Sequence, residues 1–402
     1  MTSMSQHDTE DRDGAARDSA ARNSGAKDST AAAAPPPRTW PQILEHLLHG
    51  EDLSADTASW AMSQLMSGEL TDVEIAGFLT ALRAKGETAE ELLGLSTSML
   101  DHAVPVRISS PSLDIVGTGG DGLGTVNIST MSSLIAAGAG ARVVKHGNRG
   151  ASTTAGAADV IEALGVDLAM STQRLAQCAE QTGITFLFAQ QFHPSMRHVA
   201  PVRRGLGVRT VFNFLGPLSN PAGVTAQALG CAHERLAPEM ARVMALRGIH
   251  GLVFRGRDGR DKITTSAETD IWEVRHGEVQ HYVIAPEDFG LDRVTVDSLR
   301  GGDGAHNADI VRGVLDGRGG PVREAALLNA AAGLTAWSAA HAAMAPRPDG
   351  TQPERTVAGG IGAELADDLP QRLQANLQLA QDSVDSGAAA AVLDRWVEFS
   401  RR

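Results

Sequence analysis

Between Asp114 and Thr130 the chain reads Asp114-Ile-Val-Gly117-Thr118-Gly119-Gly120-Asp121-Gly122-Leu-Gly124-Thr125-Val-Asn127-Ile128-Ser129-Thr130. Side chains are missing at five positions from Gly117 to Gly124, so the backbone turns sharply and brings its N–H groups against a ligand. A helix opening straight afterwards adds free amides and the positive end of its dipole. Thr125, Asn127, Ser129 and Thr130 place further donors at that helix start. Such a segment suits an anion, above all a phosphate. It lacks the Gly-Lys-Ser/Thr ending of a P-loop, and no acidic strand end follows about 20 residues on, as a dinucleotide fold requires.

Two further clusters carry chemistry. Lys145-His146-Gly147-Asn148-Arg149 closes an apolar run, and at the carboxyl end of a strand its side chains would face the glycine loop across a crevice. Phe192-His193-Pro194-Ser195-Met196-Arg197 leads into Val202-Arg203-Arg204-Gly205-Leu206-Gly207-Val208-Arg209-Thr210-Val211-Phe212-Asn213. A guanidinium there holds a carboxylate through two parallel hydrogen bonds, a geometry a lysine cannot copy.

These groups need strands and helices to position them. Leu113 to Val116, Arg142 to Lys145 and Ile184 to Phe188 read as strands, with helices over Ser129 to Ala137 and Gly156 to Leu164 between them. Alternation of that kind predicts an α/β layer with a largely parallel sheet, continued around Leu229, Leu252 to Phe254 and Ile271 to Val274. Upstream, residues 40 to 103 predict four helices. Thr39 and Ser54 read as N-caps, and Thr71 with Glu74 and Thr88 with Glu91 have capping-box spacing. Residues 1–38 hold almost no large apolar side chain and predict a disordered tail.

The 402 residues carry 35 Lys and Arg against 48 Asp and Glu, a formal charge of −13. That balance argues against nucleic-acid and membrane-surface partners. The two cysteines, Cys178 and Cys231, have no metal-type spacing and make no disulfide framework, which with the absence of a long apolar run predicts a cytoplasmic protein.

Taken in order, GTGGDG with TVNIST, KHGNR, FHPSMRHVAPVRRGLGVRTVFNFLGPLSNPA, GGDGAHNADIVRGVLDG and LLNAAAGL resemble the anthranilate phosphoribosyltransferases of the tryptophan branch, from about Trp40 to about Trp396. The resemblance implies a small helical domain hinged to a larger α/β domain with a central, mostly parallel sheet, as in nucleoside phosphorylases and phosphoribosyltransferases of this type. Its boundaries would be 39–105, with 199–221 returning to the helical domain, and 106–198 plus 222–402 for the α/β domain. It implies a homodimer through the helical domains, Mg²⁺, and the substrates phosphoribosyl pyrophosphate (PRPP) and anthranilate. The PRPP set would be Gly117, Gly120, Asp121, Thr125, Asn127, Ile128, Ser129, Thr130, Lys145, His146, Gly147, Asn148, Arg149, Ser152 and Thr153. Gly117, His146, Asn148, His193 and Arg203 would surround anthranilate, the arginine on its carboxylate. Ser129 and Asp261 would be metal ligands, and no residue is implied as a catalytic acid or base.

The chain departs from that pattern at Gly259-Arg260-Asp261-Lys262-Ile263, where the family has an Asp-Glu pair on Mg²⁺ and this chain has Asp261 and Lys262. An ammonium cannot ligate Mg²⁺ and repels it. Three readings follow: Lys262 neutralises pyrophosphate itself, so that the enzyme keeps one metal at Ser129 and works with a weaker second site; the protein is a paralogue with reduced activity or another aryl-amine acceptor; or Lys262 swings to solvent and Glu268 or water completes the metal shell. Ala157 stands where the family often has serine, with Ser152, Thr153 and Thr154 nearby, and Gln190 and Gln191 also differ from the commoner pattern. A pyrimidine nucleoside phosphorylase and a non-catalytic nucleic-acid-binding relative are the other readings, each fitting the motifs or the charge less well.

Overall fold

The computed structural model describes residues 39–109, 111–150, 155–344 and 368–402; the expected tail over 1–38, Ser152, Thr153 and Thr154 lie outside them. Four helices come first: α1 (Trp40–Leu48), α2 (Ala55–Ser67), α3 (Asp72–Lys85) and α4 (Ala89–Asp101). Thr71 and Glu74 form a reciprocal capping box at the start of α3, as do Thr88 and Glu91 at α4, and the Ser54 hydroxyl accepts the Thr57 N–H on α2. Each satisfies backbone donors that the first helical turn leaves without partners. Thr39 departs from expectation, because its hydroxyl donates to the Gln42 side chain at 3.0 Å instead of accepting a backbone N–H. Pro41 and the burial of Trp40, Ile43 and Leu47 fix the start of α1 without it.

The α/β part begins with β1 (Leu113–Gly117), α5 (Ile128–Gly138), β2 (Val143–Gly147), α6 (Ala157–Leu164), α7 (Thr172–Thr182) and β3 (Ile184–Phe188). Three short helices follow, α8 (Ala189–Phe192), α9 (Ala200–Leu206) and α10 (Phe212–Leu215). The chain then returns through β4 (Ala226–Gly230), α11 (Leu236–Leu246), β5 (His250–Gly256), β6 (Thr269–Arg275) and β7 (Glu278–Ile284). It ends in α12 (Gly304–Leu315), α13 (Pro321–Met344), α14 (Leu369–Asp385) and α15 (Ala388–Arg401).

Seven strands form one sheet in the order β3-β2-β1-β4-β5-β6-β7. The first five are parallel and β6 and β7 run antiparallel. The parallel pattern expected through Ile271 to Val274 stops at β5: residues 257–268 hold no helix to carry a crossover, so β6 returns antiparallel to β5, and β7 returns antiparallel to β6 through the two-residue turn His276-Gly277, with φ of 54° and 80°. So short a connection joins only antiparallel strands.

Both sheet faces are covered, which explains the short apolar runs of the inner strands. Successive side chains alternate faces. Leu113 and Ile115 of β1, Ala228 of β4 and Leu252 and Phe254 of β5 join the core built with α5, α13, α14 and α15, whereas Val116, Leu229 and Val253 join the core that holds α1–α4 and α11. Val199, Val202, Val211, Phe212, Phe214 and Leu215 belong to that second core, so the segment around α9 and α10 is packed among the N-terminal helices. On the opposite side, Arg372 of α14 meets Glu273 of β6 through two hydrogen bonds of 2.6 and 2.8 Å in a buried pair that ties helix to sheet.

Candidate active site

The direction of winding reverses between β1 and β4, which pair in register from Leu113↔Ala226 to Gly117↔Gly230. Sheets of this kind open a crevice beyond the carboxyl ends of the strands at such a point. The glycine loop leaves β1 there, and the turn carrying Asp261 and Lys262 lies directly over the two strand ends. A Cβ on Gly117 would collide with the Asp261 carboxylate, and one on Gly230 with the Asp261 backbone. Gly230→Ala should therefore displace the Asp261 turn, costing about 1–3 kcal/mol of stability and most of the activity; an unfolding midpoint and rate equal to wild type would contradict this reading.

Around the loop, the Asp261 carboxylate accepts the Gly119 N–H at 2.7 Å through Oδ2 and contacts the Lys262 ammonium through Oδ1. Lys262 Nζ also lies 3.4 Å from Asp121 Oδ2. Asp121 in turn accepts the Leu123 N–H at 3.1 Å and the Thr125 hydroxyl at 3.4 Å. The fully buried Arg260 supports this arrangement from below, donating to Thr125 Oγ1 at 3.0 Å and to the Val296 carbonyl at 2.6 Å and pairing with Asp258. Burial alone would raise the Asp121 pKa, but the Lys262 ammonium, the Leu123 N–H and the Arg260 guanidinium together outweigh it and hold the carboxyl below its ordinary value.

Lys145, at 2% exposure, extends its ammonium from β2 to the Ile115 carbonyl at 2.5 Å and to Ser129 Oγ at 3.2 Å. Burial lowers its pKa to about 8 against the opposing pull of Asp114 and Asp261. Asp114, wholly buried, has its own carboxyl raised to about 6 by desolvation although Asn220 donates to it at 3.0 Å and the His146 N–H at 3.3 Å. The Thr130 hydroxyl beside this cluster is buried without a protein partner.

The next residue on β2, His146, stands 5.3 Å from His193, ring to ring. Its Nδ1 bonds the Gly216 carbonyl at 3.2 Å and its Nε2 is buried with no partner, while His193 Nε2 bonds the Ser219 carbonyl at 3.0 Å. Both carbonyls accept, so each bonded nitrogen carries the proton and His146 Nε2 is left as a lone-pair acceptor. Desolvation pushes His146 down to about 3, and His193 is lowered by the same cause. The unfolded chain protonates this imidazole near 6.5 and the folded one does not, so His146 removes stability as pH falls below 6.5 towards 3, by about 1.4 kcal/mol per pH unit. His146→Gln should flatten the acid limb of unfolding free energy by that slope; an imidazolium NMR signal for His146 already present at pH 5 would contradict it.

Arg203 of α9 is half-buried, its guanidinium 5.2 Å from the centre of the Phe212 ring. Among the described residues no carboxylate pairs with it, and burial lowers its pKa. A few residues on, the Arg209 guanidinium lies against the Cα of Gly120, where a Cβ would collide with it. Arg209 stood in the arginine-rich motif without a role; only the fold brings it over the glycine loop.

Not every residue singled out from the sequence points at this crevice. The Arg149 guanidinium is held by Asp159 at 3.1 Å and by Glu162 of α6. The Asn127 side chain is also engaged, donating to the Ala155 carbonyl at 3.0 Å and accepting from Asn307 at 2.8 Å. Ile128 is a core residue whose N–H bonds the Val126 carbonyl at 2.7 Å, and the Thr130 N–H bonds the Asn127 carbonyl at 3.1 Å, so the first turn of α5 is not wholly free as expected. Asn148 is exposed at the end of β2, and Gly147 between it and His146 closes the strand. Lys262 points inward, and Glu268 pairs with Arg257, which removes the reading in which Glu268 completes a metal shell.

Residues 109–390 match the glycosyl transferase family a/b domain, and residues 41–103 match the glycosyl transferase family helical bundle domain. The anthranilate phosphoribosyltransferase of Arthrobacter sp. (strain FB24) is 52% identical over 373 residues, 93% of this chain and 99% of that protein. The enzyme of that name from Nocardioides sp. (strain ATCC BAA-499 / JS614) is 51% identical over 90% of this chain and 99% of its own. The crystal structure of anthranilate phosphoribosyltransferase from Thermus thermophilus is similar with a TM-score of 0.77 at 40% identity, covering 90% of this chain and 99% of that one. The Saccharomyces cerevisiae enzyme in complex with PRPP and Mg gives 0.75 at 26% identity, covering 90% and 98%. A helical bundle followed by an α/β domain, and whole-length relatives sharing about half of their residues with it, place this chain in the anthranilate phosphoribosyltransferase family, with that family's activity in tryptophan biosynthesis.

Proposed function

We propose that the crevice between the ends of β1 and β4 is where the phosphoribosyl group of PRPP passes to the amine of anthranilate. The C1–O bond to pyrophosphate breaks, the N–C1 bond forms, and the amine proton leaves to solvent or product. The observation that carries this reading is the desolvated Lys145 ammonium beside Ser129 at the mouth of a glycine loop, which together make a preorganised anion site.

Negative charge gathers on the departing pyrophosphate as C1 becomes oxocarbenium-like, and fixed donors aimed at that charge lower the barrier. We assign Gly117, Gly120 and the loop amides to the phosphates, with Lys145, Thr130 and Ser129, and we add Arg209, which no motif had assigned. Arg203 receives the anthranilate carboxylate, the unpaired guanidinium exchanging its lost hydration for a bidentate partner. His146 Nε2 is the acceptor for an arylamine N–H, and His193 and Asn148 border the same space. No group acts as a catalytic acid, since the leaving group is stabilised as an anion.

Mg²⁺ accompanies PRPP in the yeast homologue, and bound to pyrophosphate it would neutralise leaving-group charge. The Ser129 hydroxyl would supply a neutral oxygen ligand to an ion brought by the substrate once it gives up its 3.2 Å contact with the Lys145 ammonium. The Asp121–Asp261 pair does not fit, because an ammonium already sits between its carboxylates.

We further read 39–105 with 199–221 as one domain and the remainder as the other, and a homodimer through the helical domains. Leu48, Trp60 and Val73 support the latter as exposed apolar side chains on α1, α2 and α3, at 71%, 36% and 81% exposure. Sedimentation equilibrium should give twice the chain mass. Val73→Glu should lower that mass, and a monomeric wild type would contradict the dimer. No helix among the described residues is long and apolar enough to cross a membrane.

The functional test is an assay of anthranilate fluorescence with PRPP and Mg²⁺. Consumption matched by pyrophosphate release supports the reading. Phosphorolysis of thymidine with no loss of anthranilate would favour the nucleoside phosphorylase reading instead.

A further inference from the structure

We propose that Lys262 is a tethered cation that takes the place of a divalent ion between Asp121 and Asp261, so that this protein works with the single Mg²⁺ that its pyrophosphate substrate carries. The inference rests on the PRPP reading above.

Asp121 lies in the glycine loop after β1, and Asp261, in the turn between β5 and β6, meets that loop. Each uses part of its acceptor capacity on the loop, Asp261 on the Gly119 N–H at 2.7 Å and Asp121 on the Leu123 N–H at 3.1 Å. Their remaining oxygens, Oδ1 of Asp261 and Oδ2 of Asp121, both face one ammonium, in contact with the first and 3.4 Å from the second. Two oxygens converging in this way are what a hard divalent cation takes from protein, the rest of its shell being water and phosphate. Here the position is filled from within, because an ammonium and Mg²⁺ cannot share the pair without close repulsion.

The residue is built to stay. Its side chain is only 16% exposed, and its ammonium is held between the two carboxylates. Among the described residues no three His, Cys, Asp or Glu side chains gather as a metal site, here or elsewhere. An ammonium has three donors, and with two directed at the carboxylates one is left for a pyrophosphate oxygen. Lys262 thereby turns a pair of negative charges that would repel the substrate into a surface that accepts it.

The test counts metal without relying on turnover. Mn²⁺ alone is the probe, with free Mn²⁺ read by electron paramagnetic resonance while the intact protein is held at saturating PRPP without acceptor. Wild type should bind one Mn²⁺ per chain and folded Lys262→Glu two. Two for wild type, or one for folded Lys262→Glu, would overturn the proposal. Lys262→Met gives a second arm should the glutamate variant fail to fold. Its PRPP affinity should fall at least tenfold at low Mg²⁺ and recover as Mg²⁺ is raised; an affinity equal to wild type at every Mg²⁺ concentration would also overturn it. PRPP binding to wild type, followed in the same titration, separates the two levels: bound PRPP with two Mn²⁺ ions sinks the tethered cation alone, while no PRPP binding sinks the assigned PRPP site and this inference with it.

Discussion

Lys145→Met should lower kcat/KM for PRPP by about 10²–10³, the loss typical of removing one preorganised donor from a desolvated site. The ammonium is positioned before substrate arrives, by the Ile115 carbonyl at 2.5 Å and the Ser129 hydroxyl at 3.2 Å. It therefore costs no reorganisation when pyrophosphate charge develops. Methionine keeps the stem and the packing and removes only the charge. The substitution should also destabilise the fold, because Asp114 is buried and loses its nearby cation. Breaking a buried charge pair costs about 3–5 kcal/mol. Part of that is recovered here, since the Asp114 carboxyl already stands at about 6 and rises further to take a proton. Initial rates with PRPP varied, together with calorimetric unfolding, check both effects. A variant with wild-type kcat/KM would remove Lys145 from the phosphate site.

Arg203→Ala should raise the KM for anthranilate by about 10²-fold while the value for PRPP changes by less than about threefold, in line with the cost of truncating one partner of a buried charge pair. The half-buried guanidinium bears a desolvation penalty in the free protein, visible as a lowered pKa, and no carboxylate among the described residues offsets it. The substrate's carboxylate is what completes it. The unliganded variant should therefore be as stable as wild type or slightly more so, a sign opposite to that of Lys145→Met. Arg203→Lys should not restore affinity, because a point charge cannot make the two parallel hydrogen bonds. Equal weakening of both substrates would contradict the assignment.

The parts of the site legible in the sequence are those that chemistry writes locally. Glycine density between Gly117 and Gly124 announces a close backbone approach, and capping boxes at Thr71 and Thr88 announce helix starts. Lys262 was visible as the wrong charge for its position, but not its direction, since that depends on Asp121 lying 141 residues away in the chain. The ion pairs of Arg149 are hidden for the same reason: nothing at residue 149 shows that Asp159 and Glu162 of α6 will meet it. Gly230 gave no signal at all, because its partner is the backbone of Asp261. The antiparallel pairing of β6 with β7 is written in His276-Gly277, a short turn of the kind that reverses a chain, whereas the switch itself, between β5 and β6, spans 257–268 and carries no such local signal. The C-terminal helices were the least legible. The long α13 is buried all round from Ala325 to Ser338, so it lacks the one-sided apolar stripe by which a surface helix is recognised.

The acidic balance of −13 now has a local explanation. A protein that handles a polyanion needs its cations only at the crevice, where Lys145, Arg203, Arg209 and Lys262 are gathered and where Lys262 offsets Asp121 and Asp261.

The most direct measurement is stopped-time product analysis with anthranilate, PRPP and Mg²⁺. The expected result is loss of anthranilate fluorescence with pyrophosphate released one for one, abolished by omitting PRPP and reduced at least a hundredfold in Lys145→Met. Anthranilate left intact by folded wild-type protein that binds PRPP would contradict the assigned reaction.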